Sequence, residues 1–379
     1  MKKIIILILG IYGIGAAQPP FHILGNLQIH DQGQLGFHTD LINDGMFDQN
    51  LGFAGFYNTN RSLTISGSNK PVFYDMLTAV EDDLILAVSV GVTNFKEFGA
   101  GRVITPRNDL NVTLDLENDT PYTGVNDAKH TDGYVTNIGS LDFTFPIGDD
   151  FRFRPMRVTS GASSNTSRGA YFFENPNVPS TFIETFDTNN FEPTLSVISP
   201  FEFWDLDGTT STQVTLTWDV QSNISSISDN LSNLRVVGWN NNEQKWINLG
   251  NTAITGDLTQ GEITSDMILP NDYTVLTIGS ILGTGEDILV YNALSPNGDG
   301  RNDTLIIRGI ESIPNNELVI FNRWGQEVYR KKGYDNSWGG DSEGRVTVNS
   351  DAQLPVGTYY YVLEINGQQS QAGYFYIQR

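Results

Sequence analysis

Leu84-Ile85-Leu86-Ala87-Val88-Ser89-Val90 sets Leu84, Leu86, Val88 and Val90 in alternation with Ile85, Ala87 and Ser89. Successive side chains of a strand point to opposite faces, so this spacing predicts a half-buried β-strand. Two further stretches repeat it. Val112, Leu114 and Leu116 alternate with Asn111, Thr113 and Asp115. Leu141, Phe143, Phe145 and Ile147 alternate with Asp142, Thr144 and Pro146. Turn-forming clusters such as Asn43-Asp44-Gly45 and Ser66-Gly67-Ser68-Asn69 punctuate the strands. No sustained 3.6-residue period competes, and the expected class is all-β.

Working outward, Val214, Leu216 and Trp218 alternate with Thr215 and Thr217. Leu234–Trp239 and Lys245–Leu249 flank Asn240-Asn241-Asn242-Glu243, a hairpin loop, and Tyr273–Gly279 reads as a closing strand. About ninety residues of this kind suggest an immunoglobulin-like sandwich. The expected architecture is a row of β-sandwich domains: a β-rich N-terminal domain over 18–190, an immunoglobulin-like sandwich over 191–280, a linker over 281–286 and a small sandwich over 287–379. In the last of these, Asn366-Gly367 signals a tight turn before the final strand.

The chain begins Met1-Lys2-Lys3, continues with an apolar run from Ile4 to Ile14, and reaches small residues at Gly15-Ala16-Ala17. This predicts a secretory signal peptide over 1–17, cut after Ala17. The run is shorter than the ~20 residues a bilayer span needs, and no later stretch is long and apolar enough. The mature chain is expected to lack a transmembrane segment.

The 379 residues carry a net charge of −22, with 39% hydrophobic residues and no cysteine. An acidic surface argues against nucleic acid as a partner. Without cysteine there is no disulfide, thiolate nucleophile or Cys-based metal site. From Asp287 onward, 11 acidic and 8 basic residues give −3, so the upstream part holds −19. A terminal module of different charge fits a tail joined to a passenger.

Three motifs lie in that tail: Leu294-Ser295-Pro296-Asn297-Gly298-Asp299-Gly300-Arg301-Asn302-Asp303, Ile320-Phe321-Asn322-Arg323-Trp324-Gly325, and Leu354-Pro355-Val356-Gly357-Thr358-Tyr359-Tyr360-Tyr361. Asn297, Asp299 and Asp303 place side-chain oxygens around glycines, as calcium loops do. Counted from Ser295, however, position twelve is Ile306 rather than a carboxylate. The other reading is a structural turn, with Asp299 and Asp303 bonding local N–H groups. Arg323 and Trp324 are residue types that dominate protein interfaces. Alternatively, Trp324 packs on the sandwich, Arg323 pairs with a carboxylate and Gly325 supplies a positive φ.

In this order at the extreme C-terminus, the motifs resemble the gliding-motility-associated C-terminal domain of the Bacteroidetes, the type B sorting module of type IX secretion. The resemblance covers residues 287–379. It implies that Asn297, Gly298, Asp299, Gly300, Asn302, Asp303, Asn322, Arg323, Trp324, Gly325, Gly357, Thr358 and Tyr359 are hallmark sorting-motif positions. It also implies a partner, the type IX machinery of the outer membrane, and a destination at the cell surface or in the medium, reached through the periplasm. Thr144–Pro155 loosely resembles segments of Bacteroidetes surface proteins.

His22, His30 and His38 recur every eight residues, but this step does not converge three imidazoles, and His130 stands alone. Surface histidines are the expected reading. No nucleophile elbow, phosphate loop or dinucleotide fingerprint is present. The expected passenger is non-enzymatic, adhesin-like or structural, with no cofactor unless calcium occupies the Asn-Gly-Asp-Gly loop. The alternative is a carbohydrate-binding or carbohydrate-active protein, since Trp204, Trp218, Trp239 and Trp246 cluster in the middle region and exposed aromatics stack on sugars. Its partner would then be a surface glycan, in place of a protein ligand.

Overall fold

The computed structural model describes residues 19–139, 142–160, 165–281, 288–298, 302–310, 313, 315–342, 353–365 and 368–379. The signal peptide with Ala17, residues 282–287 of the linker region, Asp299, Gly300, Arg301 and the Asn366-Gly367 turn lie outside the described residues.

The alternating stretch at Leu84 proves to be two strands. Leu84–Leu86 belongs to an eight-stranded sheet and Val90–Ala100 to a thirteen-stranded one. Between them the chain turns a corner. There Ser89 Oγ donates to the Asn111 carbonyl (2.8 Å) and accepts from the Thr113 N–H (3.0 Å), which ties this corner to the following coil.

From Phe21 to Asp149 the pairing within each of these two sheets is parallel and steps from coil to coil. Phe21 lies beside Leu41, Leu63 beside Leu84, and Leu84 beside Val103. In the other sheet Gln34 lies beside Phe53, Phe53 beside Asp75, and Val90 beside Leu114. Each coil of roughly twenty residues thus returns one strand further along, and residues 19–149 form a β-solenoid. This corrects the expectation of tandem immunoglobulin-like sandwiches. A solenoid coil has one face inside and one in water, so it shows the same period-two pattern as an antiparallel sandwich strand. The coil-to-coil repeat, which would have separated the two, is uneven. Thr131 pairs with Ile147, sixteen residues on, whereas Val103 pairs with Thr131, twenty-eight on.

Side chains from the two sheets meet inside. Leu63, Leu84, Val103 and Thr131 line one wall, and Phe56, Phe73, Val92 and Leu114 fill the other, all at most 1% exposed. Each such apolar side chain contributes about 1.5–3 kcal/mol by leaving water. Phe37 stacks on Phe56 at 4.7 Å between centroids, and Phe47 meets Phe73 edge-on.

The far end of the solenoid is closed by antiparallel strands. Asn165–Phe172 pairs with Val135–Gly139, and the sheet continues through Phe203–Gly208, Tyr273–Ile281, Leu234–Asn240 and Lys245–Asn248. A second antiparallel sheet runs Phe143–Phe145, Met156–Thr159, Gln213–Trp218, Gly261–Thr264 and Ala253–Gly256. Strands from both sides of position 191 pair directly, Arg157 beside Thr215 and Tyr171 beside Trp204. One apolar core runs from Ile23 to Ile278.

The C-terminal module has its own core, including Leu305, Ile307, Tyr334, Trp338 and Phe375. Its five-stranded sheet has the order Ala293–Leu294, Gln368–Ile377, Gly357–Ile365, Asn316–Phe321, Glu327–Lys332. The final strand is therefore internal to the sheet.

Candidate recognition site on the C-terminal module

The first motif folds back on itself. The Asp303 carboxylate accepts from the backbone N–H groups of Asn297 (3.0 Å) and Gly298 (2.7 Å), and the Ser295 N–H donates to the Asn302 carbonyl (2.7 Å). Gly298 and Asn302 both take positive φ, +80° and +52°, which glycine and asparagine tolerate best. Asp303 thus closes the turn, as the structural-turn reading expects of it. Asp299, the central oxygen of the calcium reading, lies outside the described residues.

The second motif is the turn between Asn316–Phe321 and Glu327–Lys332. Asn322 is buried, and its Oδ1 accepts from the N–H groups of Trp324 and Gln326, each at 3.0 Å. Gly325 has φ +75° with open space where a Cβ would sit, so backbone conformation alone calls for glycine. This scaffold projects Trp324 outward. The indole is 74% exposed, and the Arg323 guanidinium lies 4.2 Å from its ring centroid. The packing expected for Trp324 is therefore not observed, and among the described residues Arg323 stacks on a ring and pairs with no carboxylate.

The third motif forms the opposite wall. Tyr359 is buried against Phe375, and its hydroxyl donates to the Pro355 carbonyl (3.0 Å). Burial raises the Tyr359 pKa, while Arg379 and Arg323 pull against it. Gly357 and Thr358 carry the chain along the same wall. Between the two motifs lies a groove of about 660 Å³. Exposed Val356, a member of the third motif, and exposed Tyr376, which was not singled out from the sequence, complete its rim. The alternation of Tyr376 with buried Phe375 and Ile377 was the signal available for it. None of the described residues of the Asn297–Asp303 turn lines the groove.

Elsewhere among the described residues the candidates differ in kind: a cavity of about 690 Å³, lined by Ser196, Ile227, Asp229, Leu289 and Arg308 among others, holds none of the three motifs. Asp132, Asp149 and Asp150 converge closely enough to hold a cation, and sequence reasoning missed them. Arg102 and Arg107 already pair with them, Arg102 reaching Asp132 (3.0 Å) and Asp150 (3.4 Å), and Arg107 reaching Asp132 (2.7 Å) and Asp149 (3.2 Å). Among the histidines, His22 pairs with Asp44 and His38 stacks on Tyr57. His130 departs from the expected surface placement. It is buried beside Phe153, and burial lowers its pKa. Trp204, Trp218, Trp239 and Trp246 are all buried.

A long β-solenoid passenger followed by a separately cored, motif-bearing C-terminal module has the build of an exported protein with a sorting tail. Residues 288–377 match the family model described as CHU_C Type IX secretion signal domain, and this quarter of the chain is such a domain. Its presence implies a cargo of the type IX machinery, exported to the cell surface or into the medium. No curated protein and no solved structure matches the chain. No helix among the described residues is long and apolar enough to cross a membrane.

Proposed function

We propose that this chain is a surface or secreted protein of a Bacteroidetes bacterium whose solenoid and antiparallel cap form a non-enzymatic, adhesin-like or structural passenger. It enters the periplasm by the signal peptide over 1–17, and the tail then directs it across the outer membrane. The observation that carries the export reading is the match over residues 288–377. The non-enzymatic reading is supported by the state of the passenger's charged groups. The converging aspartates are held by Arg102 and Arg107, and the buried Glu202 accepts from Tyr171 Oη and faces Arg154. Groups paired in this way serve packing and are poor general acids or bases. A carbohydrate-binding passenger is the second reading, and burial of the four tryptophans weighs against it.

The test compares the full chain with one ending at Glu286 in a native-like host. Retention of the shorter chain in the periplasm, with the full chain outside, is the expected result. Equal export of both would end the sorting reading.

A further inference from the structure

We propose that the groove between the Asn322–Gly325 turn and the Leu354–Tyr359 segment is the docking surface of the tail, and that it seats an acidic segment of the export machinery carrying an apolar anchor. The inference rests on the sorting role of residues 288–377.

The groove joins two motifs that are thirty residues apart in sequence. Its rim holds an exposed tryptophan, tyrosine and valine, a side-chain set that water disfavours and that marks interaction sites. The indole is held out by a buried asparagine and by a glycine whose φ only that residue type adopts readily. Among the described residues that line the groove, Arg323 is the one that carries a charge. Arg379, bonded to the Leu354 carbonyl, adds a second positive charge close to Tyr359. Two cations, with no carboxylate among the described lining residues, favour a negatively charged partner.

The free edge of the sheet is a poorer candidate. Glu327–Lys332 carries Arg330, paired with Glu317 and Glu327, and Lys331, paired with Asp335. Charged side chains on an edge strand discourage added strands. Recognition by a fixed patch therefore fits this module better than extension of its edge.

The experiment measures the exported fraction of the full chain in a native-like host for Trp324→Ala, Arg323→Glu, Arg323→Lys, Val356→Asp and Val356→Lys. The chain ending at Glu286 is run beside them. Each purified variant is checked for an unchanged unfolding midpoint, which the exposure of these side chains favours. Trp324→Ala, Arg323→Glu and Val356→Asp are each expected to lower export by about tenfold, as loss of an interface anchor does. Arg323→Lys should retain most export, and Val356→Lys should exceed Val356→Asp. Wild-type export of folded Trp324→Ala and Arg323→Glu, with the truncated chain retained, would overturn the groove while leaving the sorting role intact. Equal losses for Val356→Asp and Val356→Lys would overturn the acidic partner. Export of the truncated chain would overturn both the sorting role and the groove.

Discussion

Nζ of Lys96 donates a 2.8 Å hydrogen bond to Oγ1 of Thr78 in the interior of the solenoid. A second bond goes to the Glu97 carbonyl at 2.9 Å, and the ammonium lies 4.2 Å from the Phe98 ring centroid. Burial disfavours the charged form and pulls the Lys96 pKa down to about 7, with Glu97 opposing. In the unfolded chain the group titrates near ~10.4. Between these values the unfolded state binds more protons, so stability rises with pH across this window and is lost as pH falls through about 7. Lys96→Met should flatten that slope and raise stability at pH 6 by a few kcal/mol, at ~1.4 kcal/mol per pKa unit. Denaturant midpoints from pH 6 to 10 provide the check, and an unchanged slope would contradict it.

Asp205 should give the opposite slope. It is buried and accepts from Tyr134 Oη at 2.6 Å. Burial, reinforced by the charge of Asp207, raises its pKa to about 7. The folded-state pKa exceeds the unfolded value of ~3.9. The resulting stability is complete below that value and is lost as pH rises through about 7. Asp205→Asn keeps an acceptor for Tyr134 without the charge. The variant is expected to gain stability over the parent at pH 8 and to lose the advantage at pH 4. Unfolding midpoints at the two values test this.

The solenoid register gives a sharper contrast within one strand. Leu84 is fully buried, whereas its neighbour Ile85 is 38% exposed. Leu84→Ala should cost about 2–5 kcal/mol, the range for an emptied core site. Ile85→Ala should cost less, about 1 kcal/mol, because more than a third of that residue stays in water when the fold forms. Chemical denaturation of the two variants is sufficient, and a larger loss at Ile85 than at Leu84 would place the strand the other way round.

In the tail, Asn322→Ala strips two part-buried N–H groups of their acceptor. Each such hydrogen bond contributes about 0.5–1.5 kcal/mol net, so the two together should cost about 1–3 kcal/mol. Gly325→Ala, at φ +75°, should cost about 1 kcal/mol through backbone strain alone. Both substitutions should raise the hydrogen-exchange rates of the Trp324 and Gln326 amides while leaving those of Leu84 and Val103 unchanged.

Much of this protein was legible from residues alone. Alternation at Leu84, Leu114 and Phe143 was enough for the all-β class, since strand side chains obey a two-residue period wherever they fold. The order of the Asn297, Asn322 and Gly357 motifs was enough for the export tail, because short turns depend on local residue types such as Gly325. Tertiary structure decided which strands are neighbours. Leu84 beside Val103 and Val90 beside Leu114 make a solenoid, and the same alternation paired antiparallel would make a sandwich. Local pattern is blind to that choice, which depends on contacts between residues about twenty positions apart. Tertiary structure also turned Trp324 outward and brought it opposite Val356. The stretch Asn322–Gly325 satisfies its own backbone polar groups, and the groove exists only once Gly357–Ile365 lies beside Asn316–Phe321.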